Sequence, residues 1–265
     1  MQILDPLGHW GVGSLRRGAL ALAVVALLSG CSWFNSRPNT VPPAAKLYED
    51  GERNLQNGRY EQAREAFSRL VERHPESELV PVASFLIGET YFRAEEYEKA
   101  GKEFESFVTL YPSHAIADLG QYRLARSYFD RMPIIERDQG VSAKALAEFQ
   151  KLIRLYPESR YAPDAIAKIE VCRLRLAQKE LWVADYYVKR NNFQAALQRY
   201  DAVLKEYART TVVPEALYQK ADVLIRLGKT DDAAQVLRRL LEQYPQSDWS
   251  ARAKQRQTRL TTTTQ

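Results

Sequence analysis

The stretch AGKEFESFVTLYP, running from Ala100 to Pro112, decides how the chain folds. A small residue, Ala100, is followed four later by Phe104 and three further on by Phe107, and the run ends at Pro112. Offsets of four and three put these three on one helical face. The residue before a proline is pushed out of the α region, so the helix stops there. The frame recurs at Ala63/Phe67/Leu70/Pro75, Ala145/Phe149/Leu152/Pro157 and Ala233/Leu237/Leu240/Pro245. It recurs once with the proline replaced, at Ala196/Tyr200/Val203/Ala208. Such self-similarity is the mark of a repeat protein. Each unit carries one apolar face that it cannot bury alone, so the units must stack.

A second helical stretch precedes each copy. Gly88 and Tyr91 stand twelve and nine residues before Ala100, and Gly51 stands twelve before Ala63. These resemble the small and aromatic positions of the first helix of a tetratricopeptide (TPR) repeat, where glycine lets two backbones approach. The implied fold is all-α, a TPR superhelix of about five helix pairs plus a C-terminal capping helix. Helices are predicted over 46–57, 60–74, 81–94, 97–111, 163–190, 214–227 and 230–244, with turns at Gly58 and Gly228. The repeats fall near 45–78, 79–115, 116–160, 161–211 and 212–247, with a cap over 248–260 and a disordered end at 261–265. Thr230 is a candidate N-cap, followed by the dipole-favoured acids Asp231 and Asp232. Equivalent terminal positions are 37, 45, 51 and 37 residues apart, against a usual period of about 34. The excess in the third unit is a loop, Met132–Val141, holding Pro133, Gly140, Glu136, Arg137 and Asp138. In the fourth it is a long first helix from Pro163 to Arg190, which outruns its partner.

Composition narrows the function. Apolar residues are 45% and charged ones 27% of the chain, as in soluble folded proteins. Two cysteines and three scattered histidines, His9, His74 and His114, form neither a disulfide framework nor a metal-ligand pattern. The chain lacks a phosphate-cradling glycine loop, a G-x-S-x-G and an H-E-x-x-H. No catalytic site, cofactor or metal is expected. Formal charge is +5; without residues 1–30 it is 36 basic against 32 acidic, or +4. Spread over many helices, that excess gives no reason to expect nucleic acid.

The N-terminus reads as an address. Arg16 and Arg17 precede an apolar run, Ala19–Leu28, and then Ser29-Gly30-Cys31. A basic start, a short apolar core and small residues make a secretory signal over 1–30, too short to span a bilayer. Leu28-Ser29-Gly30-Cys31 resembles the lipobox of bacterial lipoproteins, which implies cleavage before Cys31 and acylation of that residue. Ser32 in place of aspartate implies the outer membrane, with the protein facing the periplasm. Residues 31–44, with Pro38, Pro42 and Pro43, read as an extended tether.

Among candidate contact residues, Cys172 is read as a small core residue, and Phe67, Phe104, Phe149 and Tyr200 as packing. The aromatics outside the frame, Tyr48, Tyr60, Tyr97, Tyr122, Tyr128, Tyr186 and Tyr187, are the candidates for a peptide-binding groove. The run from Arg137-Asp138 through Tyr156-Pro157, Tyr161 and Asp164-Ala165 to Arg175-Leu176-Ala177, Glu180 and Val183-Ala184-Asp185-Tyr186-Tyr187 exceeds a generic TPR pattern. With the lipobox and five repeats, it resembles the BamD family, lipoproteins of the outer-membrane β-barrel assembly (BAM) machinery. Gln139 departs from the proline common there. The resemblance implies a non-catalytic scaffold that binds BamA, through its barrel-proximal POTRA domain, in company with other BAM subunits. The residue aligned with the family's BamA contact is Arg199. It also implies that repeat one receives unfolded outer-membrane proteins in a groove near Tyr48 and Tyr60. The same anchor and repeats leave open a second reading, another TPR lipoprotein such as a secretin or pilus pilotin.

Overall fold

The structure, a computed structural model, describes residues 41–263. The signal, Cys31 and most of the expected tether lie outside the described residues. The compact unit that begins at Ala44 contains, among the described residues, eleven helices. They are α1 (Ala44–Gln56), α2 (Tyr60–Arg73), α3 (Val80–Arg93), α4 (Tyr97–Leu110), α5 (Ala117–Phe129), α6 (Gly140–Leu155), α7 (Ala162–Lys189), α8 (Phe193–Glu206), α9 (Val213–Arg226), α10 (Thr230–Gln243) and α11 (Asp248–Thr263). Each helix packs chiefly on its neighbours in sequence, the quasi-one-dimensional order of a solenoid. This is the all-α tetratricopeptide architecture expected from the frame.

The repeating frame is the core. Ala63, Phe67, Leu70, Ala100, Phe104, Ala145, Phe149, Leu152, Ala196, Val203, Ala233, Leu237 and Leu240 are all fully buried. Four apolar clusters follow one another along the stack. Gly51 and Gly88 make the close approach expected of them: a Cβ on either would stand 2.5 Å from the Phe67 ring or 2.7 Å from the Phe104 ring. Gly120, which the frame does not single out, stands likewise 2.5 Å from Phe107.

Two turn types alternate. Within four of the five pairs, α5–α6 being joined by the longer loop, the first helix closes on a left-handed residue: Gly58, Glu95, Asn191 and Gly228, with φ of 70°, 60°, 56° and 74°. The next residue's N–H reaches back five residues, Arg59 to the Asn54 carbonyl and Glu96 to that of Tyr91, at 2.8 and 2.9 Å. Asn192 to Tyr187 and Lys229 to Leu224 repeat the bond at 2.9 Å each. That is a Schellman closure, satisfying carbonyls the helix leaves free. Between pairs the chain turns on Pro75, Pro112, Pro157 and Pro245. The hydroxyls of Ser77, Ser159 and Ser247 there accept from the backbone N–H two residues on, at 3.2, 3.2 and 3.3 Å. Where Ala208 replaces proline, α8 still ends at Glu206, and the Thr210 hydroxyl donates to the Tyr207 carbonyl at 2.8 Å.

Several expectations are corrected. Lys229, not Thr230, is the N-cap of α10; Thr230 begins the helix, and Asp231 and Asp232 keep their place in its first turn. The third-repeat loop ends at Gln139, because Gly140 and Val141 already belong to α6. The C-terminal helix runs on through Thr263, past the expected end at Leu260. Its buried anchors are Ser250 and Ala253, so the turn against α10 is fixed and the polar remainder continues from it.

Candidate functional site

The third-repeat loop and α7 form one unit. Gln139 is buried, and its Nε2 donates to the carbonyls of Ile134 and Arg137 at 2.8 and 3.2 Å. Its Oε1 accepts the Ser142 hydroxyl at 2.7 Å. Gln139 thus closes the loop through its side chain, as a proline could not. Asp138 Oδ1 accepts the Gly140 N–H at 2.8 Å, while Arg137 is exposed. From α7, Arg175 Nη1 donates to the Pro133 carbonyl at 2.6 Å and Lys179 Nζ to that of Glu136 at 3.1 Å. Cys172 is buried, with its sulfur 3.8 Å from that of Met132. Burial pushes its thiol up to about 11, so it is an inert core thiol, as its apolar surroundings predicted.

Beyond that loop, α7 pairs with α8, and Arg199 sits at their junction. Arg199 Nη1 donates to Glu180 Oε2 at 3.1 Å, with 43% and 22% of the two side chains exposed. The bond to Glu180 raises the pKa of Arg199, Tyr187 adding to it. The guanidinium is therefore oriented within the chain yet half open to solvent.

Tyr48 and Tyr60 are both half-buried against the first core cluster. Tyr48 meets Phe67 edge-on at 6.0 Å, and burial, with Glu52 beside it, pushes its hydroxyl up to about 12. Neither ring lines the hollow of about 430 Å³ nearby, which Glu61, Arg64, Glu65, Ser68, Ile87, Tyr91 and Glu103 enclose. There the Arg64 guanidinium lies 3.9 Å over the Tyr91 ring and donates to the Thr90 hydroxyl at 3.3 Å. Glu103, drawn into the hollow, has its carboxyl pushed up by burial against the pull of Arg64.

Of the other off-frame aromatics, Tyr122 is structural: it is buried, stacks on Tyr161 at 4.8 Å and donates to Asp164 Oδ2 at 2.6 Å. Tyr186 is exposed, and Tyr187 half-buried. The residue types alone did not disclose the buried Glu89, whose carboxylate meets Arg123 Nε at 2.9 Å and Arg93 Nε at 3.2 Å. Arg93 is its neighbour one turn along α3, but Arg123 comes from α5, and only the stack brings that partner to it. Among the described residues no group of three or more His, Cys, Asp or Glu side chains could hold a metal ion, and no helix is long and apolar enough to cross a membrane.

Fold and sequence frame together define an all-α helical-repeat protein of the tetratricopeptide type. The chain matches, over residues 41–237, the family model YfiO, described as an outer membrane lipoprotein. It is 31% identical to the outer membrane protein assembly factor BamD of Rickettsia prowazekii, over 86% of this chain and 92% of that one. It is 28% identical to the protein of the same name from Caulobacter vibrioides, over 80% and 71% of the two chains. The chain belongs to the BamD family of outer membrane lipoproteins. Among solved structures it resembles a TPR protein of Thermus thermophilus, at 18% identity and a TM-score of 0.36, covering 80% of this chain and 98% of that one. It also resembles the TPR2AB domain of yeast Sti1, at 14% identity and a TM-score of 0.41, covering 80% and 83%.

Proposed function

We propose that this chain is an outer membrane protein assembly factor acting as a non-catalytic scaffold. In this reading Cys31 carries the lipid, residues 1–30 are removed, and the folded unit faces the periplasm. The Arg199 surface holds a POTRA domain of BamA within the BAM complex. Repeat one, at Tyr48 and Tyr60, receives unfolded outer-membrane proteins. A rigid stack suits that work, because an unfolded client already loses entropy on binding and a pre-formed receiver loses little more.

The observation that carries this reading is the match to BamD proteins over nearly the full folded length. The in-chain orientation of Arg199 by Glu180 supports its part: a guanidinium held in place forms a further charge-assisted bond at small entropic cost. Pull-down of the tagged protein from membranes should recover BamA, and Arg199→Glu should cut that recovery about tenfold or more. Recovery of a different envelope complex without BamA would overturn the reading.

A further inference from the structure

The C-terminal half of α7 has two unlike faces. Successive helical residues are ~100° apart, so Trp182 lies about 200° from Glu180 but only about 40° from Tyr186. Glu180 and Tyr187 lie on the side that meets Arg199. Trp182 and Tyr186 lie on the other, 40% and 42% exposed, with rings stacked at 6.4 Å. Val171, eleven residues before Trp182 and so about 20° from it around the axis, is 46% exposed. The loop that Arg175 and Lys179 grip by the carbonyls of Pro133 and Glu136 brings Ile134 alongside, 61% exposed. These four are half of the eight large apolar side chains exposed among the described residues. Lined along one side of α7 over about 22 Å rather than scattered over the surface, such groups mark a site of interaction.

The charge on this face says what would cover it. Arg175, Lys179, Lys189 and Arg190 of α7 stand there against Asp185, which Lys189 pairs with at 2.6 Å, and the loop adds exposed Glu136 and Arg137, so the cations remain in excess. Lys179 lies 4.4 Å over the Trp182 ring, and the Arg190 guanidinium 3.7 Å over that of Tyr186. Trp, Tyr and Arg are the side chains that dominate protein–protein hot spots. Stacking on a ring holds each cation in place while leaving donors for an incoming acceptor. We propose that the Ile134–Trp182–Tyr186 face of α7 docks an acidic segment of another polypeptide that also bears leucine or phenylalanine. Its carboxylates meet Lys179 and Arg190, and its apolar side chains lie on the stacked rings. The site is independent of the Arg199 surface, and because the two occupy opposite sides of one helix, both partners can be held at once.

The test uses the full-length protein in detergent and a fluorescein-labelled peptide, Asp-Glu-Leu-Asp-Phe-Glu-Leu-Asp, read by anisotropy. A copy with lysine at every acidic position and vesicles of phosphatidylglycerol with phosphatidylethanolamine serve as comparisons. The acidic peptide should bind. Trp182→Ala/Tyr186→Ala and, separately, Arg190→Glu should each weaken it about tenfold or more, with unchanged circular dichroism because these side chains are exposed. Arg199→Glu should leave this affinity within about twofold. Equal binding of the lysine peptide, wild-type affinity in both α7 variants, or capture by the vesicles but not by the peptide would each overturn the proposal. So would an equal loss in Arg199→Glu, because the two faces would then not be separate. Failure of the peptide experiment leaves the BamA pull-down to stand or fall by itself.

Discussion

Gly88 of α3 and Phe104 of α4 lie so close that a methyl group on the glycine would stand 2.7 Å from the ring. Alanine normally favours a helix interior over glycine by about 1 kcal/mol. Here the sign should reverse, because Phe104 is fully buried and cannot retreat without displacing its neighbours in a close-packed core. Gly88→Ala should therefore cost about 1–3 kcal/mol, read as a fall in Tm of ~2–4 °C per kcal/mol in a chain of this size. Gly51→Ala should behave alike against Phe67. A rise in Tm for both would mean that the helices can separate without loss.

That contact was legible in the sequence. Spacing of twelve from Ala100 named Gly88, and the frame named Phe104. The turn residues Gly58 and Gly228 were legible for the same reason, since a local requirement selects the residue type. Glu95 and Asn191 fill the same place without the signature. At Thr230 a hydroxyl before two acids imitates an N-cap of α10, whereas the repeating turn places Lys229 there. Tyr122 reads in the sequence as a groove candidate because tyrosine's polar tip gives no sign of its partner. Asp164, which accepts its hydrogen bond, lies 42 residues away. Arg199 could be picked out only by resemblance, and its bond to Glu180 depends on how α7 and α8 pack.

Glu95 holds a backbone shape that costs an L-residue about 1–2 kcal/mol. Its φ is 60°, where Gly58 and Gly228 have 70° and 74°. Glu95→Gly should relieve that strain but lose chain stiffness in the unfolded state, for a net gain of roughly 0.5 kcal/mol. Gly228→Ala should lose about 1 kcal/mol by the converse. Urea denaturation of the two variants should move the midpoints in opposite directions with unchanged slopes. Movement in the same direction would remove the strain account.

Glu89 ties two repeats together. Its carboxylate is 5% exposed, and Arg123, which meets it at 2.9 Å, is also half-buried over the Phe92 ring at 4.8 Å. Arg93, the other partner, keeps 48% of its side chain exposed. Arg123→Met should cost about 3 kcal/mol by leaving the buried charge with only the half-exposed Arg93, and Arg93→Met under about 1. The double variant Glu89→Met/Arg123→Met should recover much of the loss, because it removes the charge along with its partner. A double variant as unstable as Arg123→Met alone would show that lost packing, not charge, sets the cost.

Tyr122 and Asp164 give the clearest pH dependence. Burial pulls the Asp164 carboxyl up, but the Tyr122 hydroxyl and Lys168 outweigh it, so the carboxyl sits below its ordinary value of 3.8. A lowered carboxylate contributes stability that is present above the unfolded pKa and lost as pH falls through the folded one. Tyr122 moves the other way: burial and then Asp164 raise it above 10.0, so its contribution is full below that value and lost as pH climbs through the raised one. The bond is worth about 1 kcal/mol once the exposure of Asp164 is allowed for. The stability difference between the wild type and Tyr122→Phe should thus be flat from about pH 5 to 9. It should shrink below pH ~4 and again above pH ~10. Urea midpoints across that range test it, and a difference that keeps growing as the solution is acidified would show that the bond does not depend on an ionised Asp164.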